Sequence, residues 1–183
     1  MRSLAAFIES VKPDICAVCD IESGDALALA TRFIMQWAYR GGQAVFWNKH
    51  AQATEILDEY LPFSPRRPFE RRGLVRVDLR VGSWPARVYA TQIGAERDQR
   101  IRDLRYLRAA LRDTSGACML FCVSPPSRIE YGDLGFTRAG CRGVDGETLW
   151  LRGFDVQSAQ DDKPHRGIGT PLVAKLRLTG RLV

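Results

Sequence analysis

Apolar and polar positions along the chain alternate between short strand-like runs and amphipathic helical ones. Residues 3–11 carry Leu4, Phe7, Ile8 and Val11 on one helical face, and Pro13-Asp14 ends that helix. Ile15-Cys16-Ala17-Val18-Cys19 is nearly all apolar, as expected of a strand covered on both faces, and it finishes on Asp20. Ser23-Gly24-Asp25 offers a helix start, and the spacing predicts a helix over 26–39 that stops at Gly41-Gly42. A strand is predicted over 43–47. Residues 48–72 are the least regular, with a short helix expected near 53–60 and then a loop rich in proline and arginine.

The rest of the pattern is organised around residues 84–111. Arg87-Val88-Tyr89-Ala90-Thr91 has the β-branched and aromatic content of a strand, and with 74–81 it predicts a hairpin about Gly82-Ser83. Gly94 and Ala95 break the strand. Glu96 and Asp98 then place negative charge in a first helical turn, where the helix dipole favours it. Ile101, Leu104, Leu107 and Leu111 recur at helical spacing and predict a buried stripe, leaving Arg102, Arg105 and Arg112 solvated. Residues 117–123 read as a buried strand ended by Pro125-Pro126. Residues 147–152 and 172–178 are the last strands, separated by a polar loop. No internal repeat or linker interrupts 1–183, so a single domain is expected. Strand, loop and Arg-rich helix is the local organisation of an α/β protein, with Thr91-Gln92 at the strand's carboxyl end, where such sheets carry their chemistry.

Composition narrows the class. A chain of 183 residues with 45% hydrophobic and 26% charged positions is globular and long enough for a real core. The net charge of +6 is carried mostly by arginine. Arginine suits phosphate recognition because its fork binds two oxygens at once; the same bias arises from a GC-rich genome without any function. No run of about twenty apolar residues is present, so no transmembrane helix or membrane partner is expected. Five cysteines without the spacing of a secreted scaffold fit a reducing cytoplasm.

The chemistry-bearing residues form few constellations. Cys16 and Cys19, taken with Cys118 and Cys122, have the residue types of a zinc site, but residues three apart in a strand point to opposite faces. Buried small hydrophobes are the expected reading. His50 and His165 sit in no metal or triad motif, and there is no G-x-S-x-G elbow or Gly-rich phosphate loop. The segment Arg66-Arg67-Pro68-Phe69-Glu70-Arg71-Arg72, with Phe63 and Phe69 interleaved, is the sharpest basic feature. Arg66, Arg67, Arg71 and Arg72 suit a phosphate backbone, the aromatics its bases; a solvated Pro-rich connection explains the same residues.

Taken in order, these segments resemble the endonuclease/exonuclease/phosphatase superfamily of metal-dependent phosphodiesterases and phosphomonoesterases, over almost the whole chain. Lys12-Pro13-Asp14-Ile15-Cys16-Ala17-Val18-Cys19-Asp20 looks like the family's K-P-D-I-v-a-l-q-E, whose final acid is a magnesium ligand. Val88-Tyr89-Ala90-Thr91-Gln92 looks like the strand ending in T-H, and Arg100 with its helix is similar to the R-x-x-Q helix. Residues 119–126 take the place of i-L-x-G-D-F-N, and Leu134-Gly135-Phe136 that of the l-G-f that follows. Residues 167–178 look like the closing S-D-H-x-P-l-v-a-x-l-r-L. The resemblance implies a four-layer α/β/β/α sandwich of two mixed sheets with flanking helices. It begins after the strand with which the family opens, which implies either a start upstream or a sheet lacking its first strand.

Scaffold positions match and catalytic ones are substituted. The metal-binding Glu is Asp20, which can still hold a hard cation. The T-H histidine is Gln92. The D and N of G-D-F-N fall on Cys122 and Ser124, and the terminal D-H pair on Ile168 and Gly169; Glu147 stands near another acidic position. Metal-assisted hydrolysis needs an ion to polarise phosphate and a group to position water. The resemblance therefore implies a catalytically dead or impaired phosphodiesterase-like domain retained for binding or assembly, needing no cofactor. One alternative is a Mg²⁺-dependent phosphodiesterase or phosphatase using Asp20 and Glu147. The other is a nucleic-acid-binding module built on Arg66 to Arg72. Nucleic acid or a phosphorylated ligand is the implied partner, and an exposed sheet edge would favour a homodimer.

Overall fold

The hairpin of β5 (Gly73–Val81) and β6 (Trp84–Gln92) lies inside the larger of the sheets. Its strands pair from Leu74↔Thr91 to Val81↔Trp84, and both alternate so that Val75, Val77, Leu79, Val88 and Ala90 line one buried face. Directly opposite each other in register, Asp78 and Arg87 form a two-pronged ion pair, Nε–Oδ1 at 2.6 Å and Nη2–Oδ2 at 2.5 Å. Charge complementarity between facing residues reinforces a register already set by the apolar face.

The computed structural model describes residues 2–62, 72–112, 116–123, 131–142, 147–161 and 172–178. Along the chain the remaining elements are α1 (Arg2–Val11), β1 (Ile15–Cys19), α2 (Ser23–Phe33), β2 (Gln36–Arg40), β3 (Gln43–Trp47), β4 (Ala51–Tyr60), α3 (Arg97–Arg112), β7 (Ala117–Val123), β8 (Thr137–Arg142), β9 (Glu147–Arg152), β10 (Phe154–Asp161) and β11 (Leu172–Leu178). A six-stranded sheet runs β4-β5-β6-β7-β9-β8, with β6 and β7 parallel and its other neighbours antiparallel. The second layer consists of a three-stranded piece, β1-β3-β2, and a two-stranded piece, β10-β11.

Three apolar clusters hold the layers together. Val45 and Trp47 of β3 with Ile15 and Ala17 of β1 pack against Val77, Val88 and Met119, sealing sheet to sheet. Leu107 and Leu111 of α3 pack on Leu74, Tyr89 and Leu120, the other face of the six-stranded sheet. Phe7, Ile8, Ala26 and Leu29 of α1 and α2 cover Cys16, Val18, Ala44 and Phe46 on the outer face of β1 and β3. The layers are therefore helix, sheet, sheet, helix, and the α/β sandwich is as expected. The six-stranded sheet is mixed, and the described strands of the second layer pair antiparallel in two pieces.

Several elements differ from expectation. The helix expected over 26–39 ends at Phe33. Ile34 closes it in the left-handed region at φ 53, where the N–H of Met35 bonds Ala30 O at 3.0 Å. A β-branched residue there is strained; Ile34 is 89% exposed, so nothing in the core opposes it. Gln36–Arg40 then turns back as a strand, because Gly41 (φ 51) and Gly42 (φ 85) form the two-residue turn of a hairpin rather than a helix cap. The short helix expected near 53–60 is the edge strand β4, paired with β5 and shifted in register between Ala53 and Glu55. β10 lies within the segment read as a loop, and β8 is a strand where no element was predicted. The buried stripe of α3 is Gln99, Asp103, Leu107 and Leu111, while Ile101 is 39% exposed.

Candidate functional site

Register brings one rim of the sandwich together. β3 runs antiparallel to β1, so Gln43 at its start pairs with Cys19 at the end of β1, beside Asp20. In the facing sheet Gln92 ends β6 next to Val123 of β7, and Val123 in turn pairs with Glu147 of β9. The structure thus places Asp20, Gln43 and Gln92 at one rim, with the backbone of Glu147 in the same row as Gln92.

Gln43 is buried, 1% exposed, because it shares the inward face of β3 with Val45 and Trp47. Its Nε2 donates to Gln92 Oε1 across the layers at 3.5 Å, and its own Oε1 has no protein partner among the described residues. Cys19 Sγ donates to Thr91 O at 3.8 Å, and Thr91 Oγ1 to Gly73 O at 3.0 Å, tying the end of β1 to β6 and β5. Asp20 is exposed in the left-handed region, φ 59, and the next residue, Ile21, donates its N–H to Gly42 O at 3.1 Å. The Asp20 backbone packs beside Gly42, at whose Cβ position a side chain would sit 3.9 Å from Asp20 Cα.

One expected remnant is placed elsewhere. Cys122 points to the α3 side, in the cluster with Leu107 and Tyr131, so Val123 and not Cys122 neighbours Gln92. Burial pushes the Cys122 thiol up to about 12, and that of Cys118 likewise, so both remain protonated at neutral pH. Cys16 and Cys19 fall on opposite faces as expected: Cys16 packs among the helices, Cys19 against Thr91.

Arg72 is a correction. Expected on a solvated loop, it is buried and pairs with Asp103 at 3.3 Å. Asp103, wholly buried, also accepts from Gly94 N at 2.9 Å and Gln99 Nε2 at 2.6 Å. Helical spacing puts Asp103 on the inward face of α3, and the inward-running backbone after β6 brings Gly94 to it. This network anchors the loop leaving Gln92. Arg66, Arg67, Arg71, Ser124, Ile168 and Gly169 lie outside the described residues, as does the side chain of Glu147.

Mg²⁺ requires near-octahedral oxygen ligation. Among the described residues the rim supplies one carboxylate, Asp20, and two amides of which one oxygen already accepts from the other group. No group of three His, Cys, Asp or Glu side chains converges among those residues. The described donors do not by themselves make a magnesium site. Gln43 is the rim residue that sequence reasoning missed. Its signal was a polar side chain on the inward parity of an otherwise apolar strand.

A two-sheet sandwich with its rim at the carboxyl ends of β1, β6 and β7 defines a known architecture. The chain has the fold of the endonuclease/exonuclease/phosphatase proteins. It is similar to a protein of that family from Bacteroides thetaiotaomicron (10% identity, 94% of this chain and 86% of the other, TM-score 0.74). It is also similar to the catalytic domain of human Nocturnin, with a bound sulfate anion (12%, 97% and 86%, 0.76), and to D. rerio TDP2 complexed with single-strand DNA product (10%, 96% and 90%, 0.71). No protein-family model and no curated protein matches the sequence significantly. No helix among the described residues is long and apolar enough to cross a membrane.

Proposed function

We propose that this chain is an endonuclease/exonuclease/phosphatase-like domain in which hydrolysis is lost or severely impaired and the scaffold serves binding. The observation that carries this reading is the amide pair of Gln43 and Gln92. Phosphoryl hydrolysis needs concentrated charge and a group that can hold or move a proton. Two neutral amides can donate and accept hydrogen bonds but do neither. They suit recognition of an oxygen-rich ligand, with Asp20 the exposed charge beside them.

The test is calorimetric titration with Mg²⁺ and Mn²⁺ of the wild type and Asp20→Ala, alongside hydrolysis of bis-p-nitrophenyl phosphate and p-nitrophenyl phosphate. The expected result is no saturable metal binding and no metal-dependent turnover in either protein. Saturable binding that disappears in Asp20→Ala, accompanied by Mg²⁺-dependent turnover, would overturn it. That outcome would establish instead a phosphodiesterase or phosphatase using Asp20 and Glu147.

A second reading, a nucleic-acid-binding module, is favoured by the single-strand DNA complex of one structural neighbour. With Arg72 buried, this reading rests on Arg66, Arg67 and Arg71 as they stand in the sequence. For a fluorescent single-stranded oligonucleotide, affinity should fall steeply with salt. Replacing those three arginines by alanine should reduce the log–log salt slope by about 2, since each phosphate contact contributes roughly 0.7 on single strands. An unchanged slope would remove this reading.

A further inference from the structure

α3 concentrates positive charge that the described ion pairs do not absorb. Its 16 residues hold six arginines and two aspartates, a net +4 of the chain's +6. Asp103 is turned inward and met by Arg72, so the outward surface of the helix is more basic still. Helical spacing puts Arg97, Ile101, Arg105, Arg108 and Arg112 on one stripe about 80° wide, turned away from the buried Gln99, Asp103, Leu107 and Leu111.

Arg97, Arg105 and Arg112 are exposed. Arginines elsewhere in the fold find carboxylates: Arg40 meets Asp58, Arg76 meets Glu55 and Arg87 meets Asp78. On the stripe itself Arg108 meets Asp133. Arg97, Arg105 and Arg112 make no ion pair among the described residues. The one exposed acid of the helix is Asp98 in its first turn, where the helix dipole favours it.

The groups missing from the stripe narrow its partner. A helix lying on a bilayer sinks an apolar face into it, and the apolar face of α3 is packed on the sheet. The centre of a stable protein interface is apolar and poor in charge, whereas the stripe offers Ile101 alone. Single strands are held by stacking bases on aromatic rings. The only aromatic residue of α3, Tyr106, is half-buried and bonded to Glu59. A row of guanidinium forks suits phosphates in a regular array, which a duplex backbone presents with no need of apolar contact.

We infer that the outward face of α3 binds the phosphate backbone of double-stranded nucleic acid, without reading its sequence, through Arg97, Arg105 and Arg112. Between Arg97 and Arg112 the helix rises about 22 Å, room for the three side chains to reach separate phosphates. The rim at Asp20 and Gln92 takes no part, and neither do Arg66, Arg67 and Arg71. The inference therefore stands apart from both readings above.

The experiment follows the anisotropy of short labelled DNA duplexes of two unrelated sequences over a salt series, with the full chain. Wild type should bind both equally. Replacing Arg97, Arg105 and Arg112 together by alanine should lower the log–log salt slope by about 3, at roughly 0.9 per duplex phosphate contact. The same three changed to lysine keep the charge and should keep the slope, as should alanine at Arg66, Arg67 and Arg71. Circular dichroism checks that each variant is folded. An unchanged slope in the α3 alanine variant overturns the inference, and so does a slope lost only in the loop variant. Absence of duplex binding at low salt overturns it too, including the case where phosphatidylserine vesicles bind instead and the partner is a membrane.

Discussion

Asp103→Ala is expected to lower the unfolding free energy by about 3–5 kcal/mol, the usual cost of breaking a buried ion pair from one side. Asp103 is completely buried and Arg72 nearly so, so solvent screens this pair little. The same carboxylate accepts the Gly94 N–H and the Gln99 amide, and a buried donor that loses its acceptor costs a further ~1–3 kcal/mol. Urea denaturation of the wild type, Arg72→Met, Asp103→Asn and the double variant isolates the pair. A coupling of roughly 1–3 kcal/mol is expected for residues sharing one network; additive effects would show that the two charges do not stabilise each other. Close packing supports the network, because a Cβ on Gly94 would lie 2.0 Å from Arg72 Nη1.

Gly73→Ala should be as damaging, by a different mechanism. A Cβ at residue 73 would stand 1.8 Å from the carbonyl oxygen of Arg40 and 2.5 Å from its carbon. Those are backbone atoms of β2, and Gly73 N donates to Gly41 O at 3.3 Å, so nothing there can swing aside. The two sheets must separate locally. Overpacking ordinarily costs about 1–3 kcal/mol and occasionally more, and a clash with backbone belongs at the upper end. The Gly41-Gly42 turn carries Gln43, so the Gln43–Gln92 contact should also be lost. A urea midpoint close to that of the wild type would mean that the strands are less tightly apposed than the structure has them.

Much of the fold was legible in the chain. Wherever one face of a strand is buried and the pattern is unbroken, as in 15–19, 43–47, 74–81, 87–91 and 117–123, periodicity located the element. Local ambiguity produced the errors. Trp37-Ala38-Tyr39 continues a helical pattern as readily as it begins a strand, and Gly41-Gly42 serves a helix cap or a hairpin turn equally well. Pairing of Gln36–Arg40 with β3 decided between them. The β4 segment has no dominant apolar face, and its strand state comes from pairing with β5. The residue pattern of 117–123 does not say which face Cys122 takes; its register parity turns it towards α3.

The sequence by itself placed most of the buried strands and α3, and its resemblance to a known family implied the α/β/β/α sandwich. These are local in the chain, written in hydrophobic period and residue identity. Only the tertiary structure decided that Gln43 meets Gln92, that Arg72 is buried against Asp103, and that β1-β3-β2 and β10-β11 are separate pieces among the described residues. Each depends on segments distant in sequence meeting at a definite register, and no period within one segment encodes which neighbour its edge or its polar side chain will find.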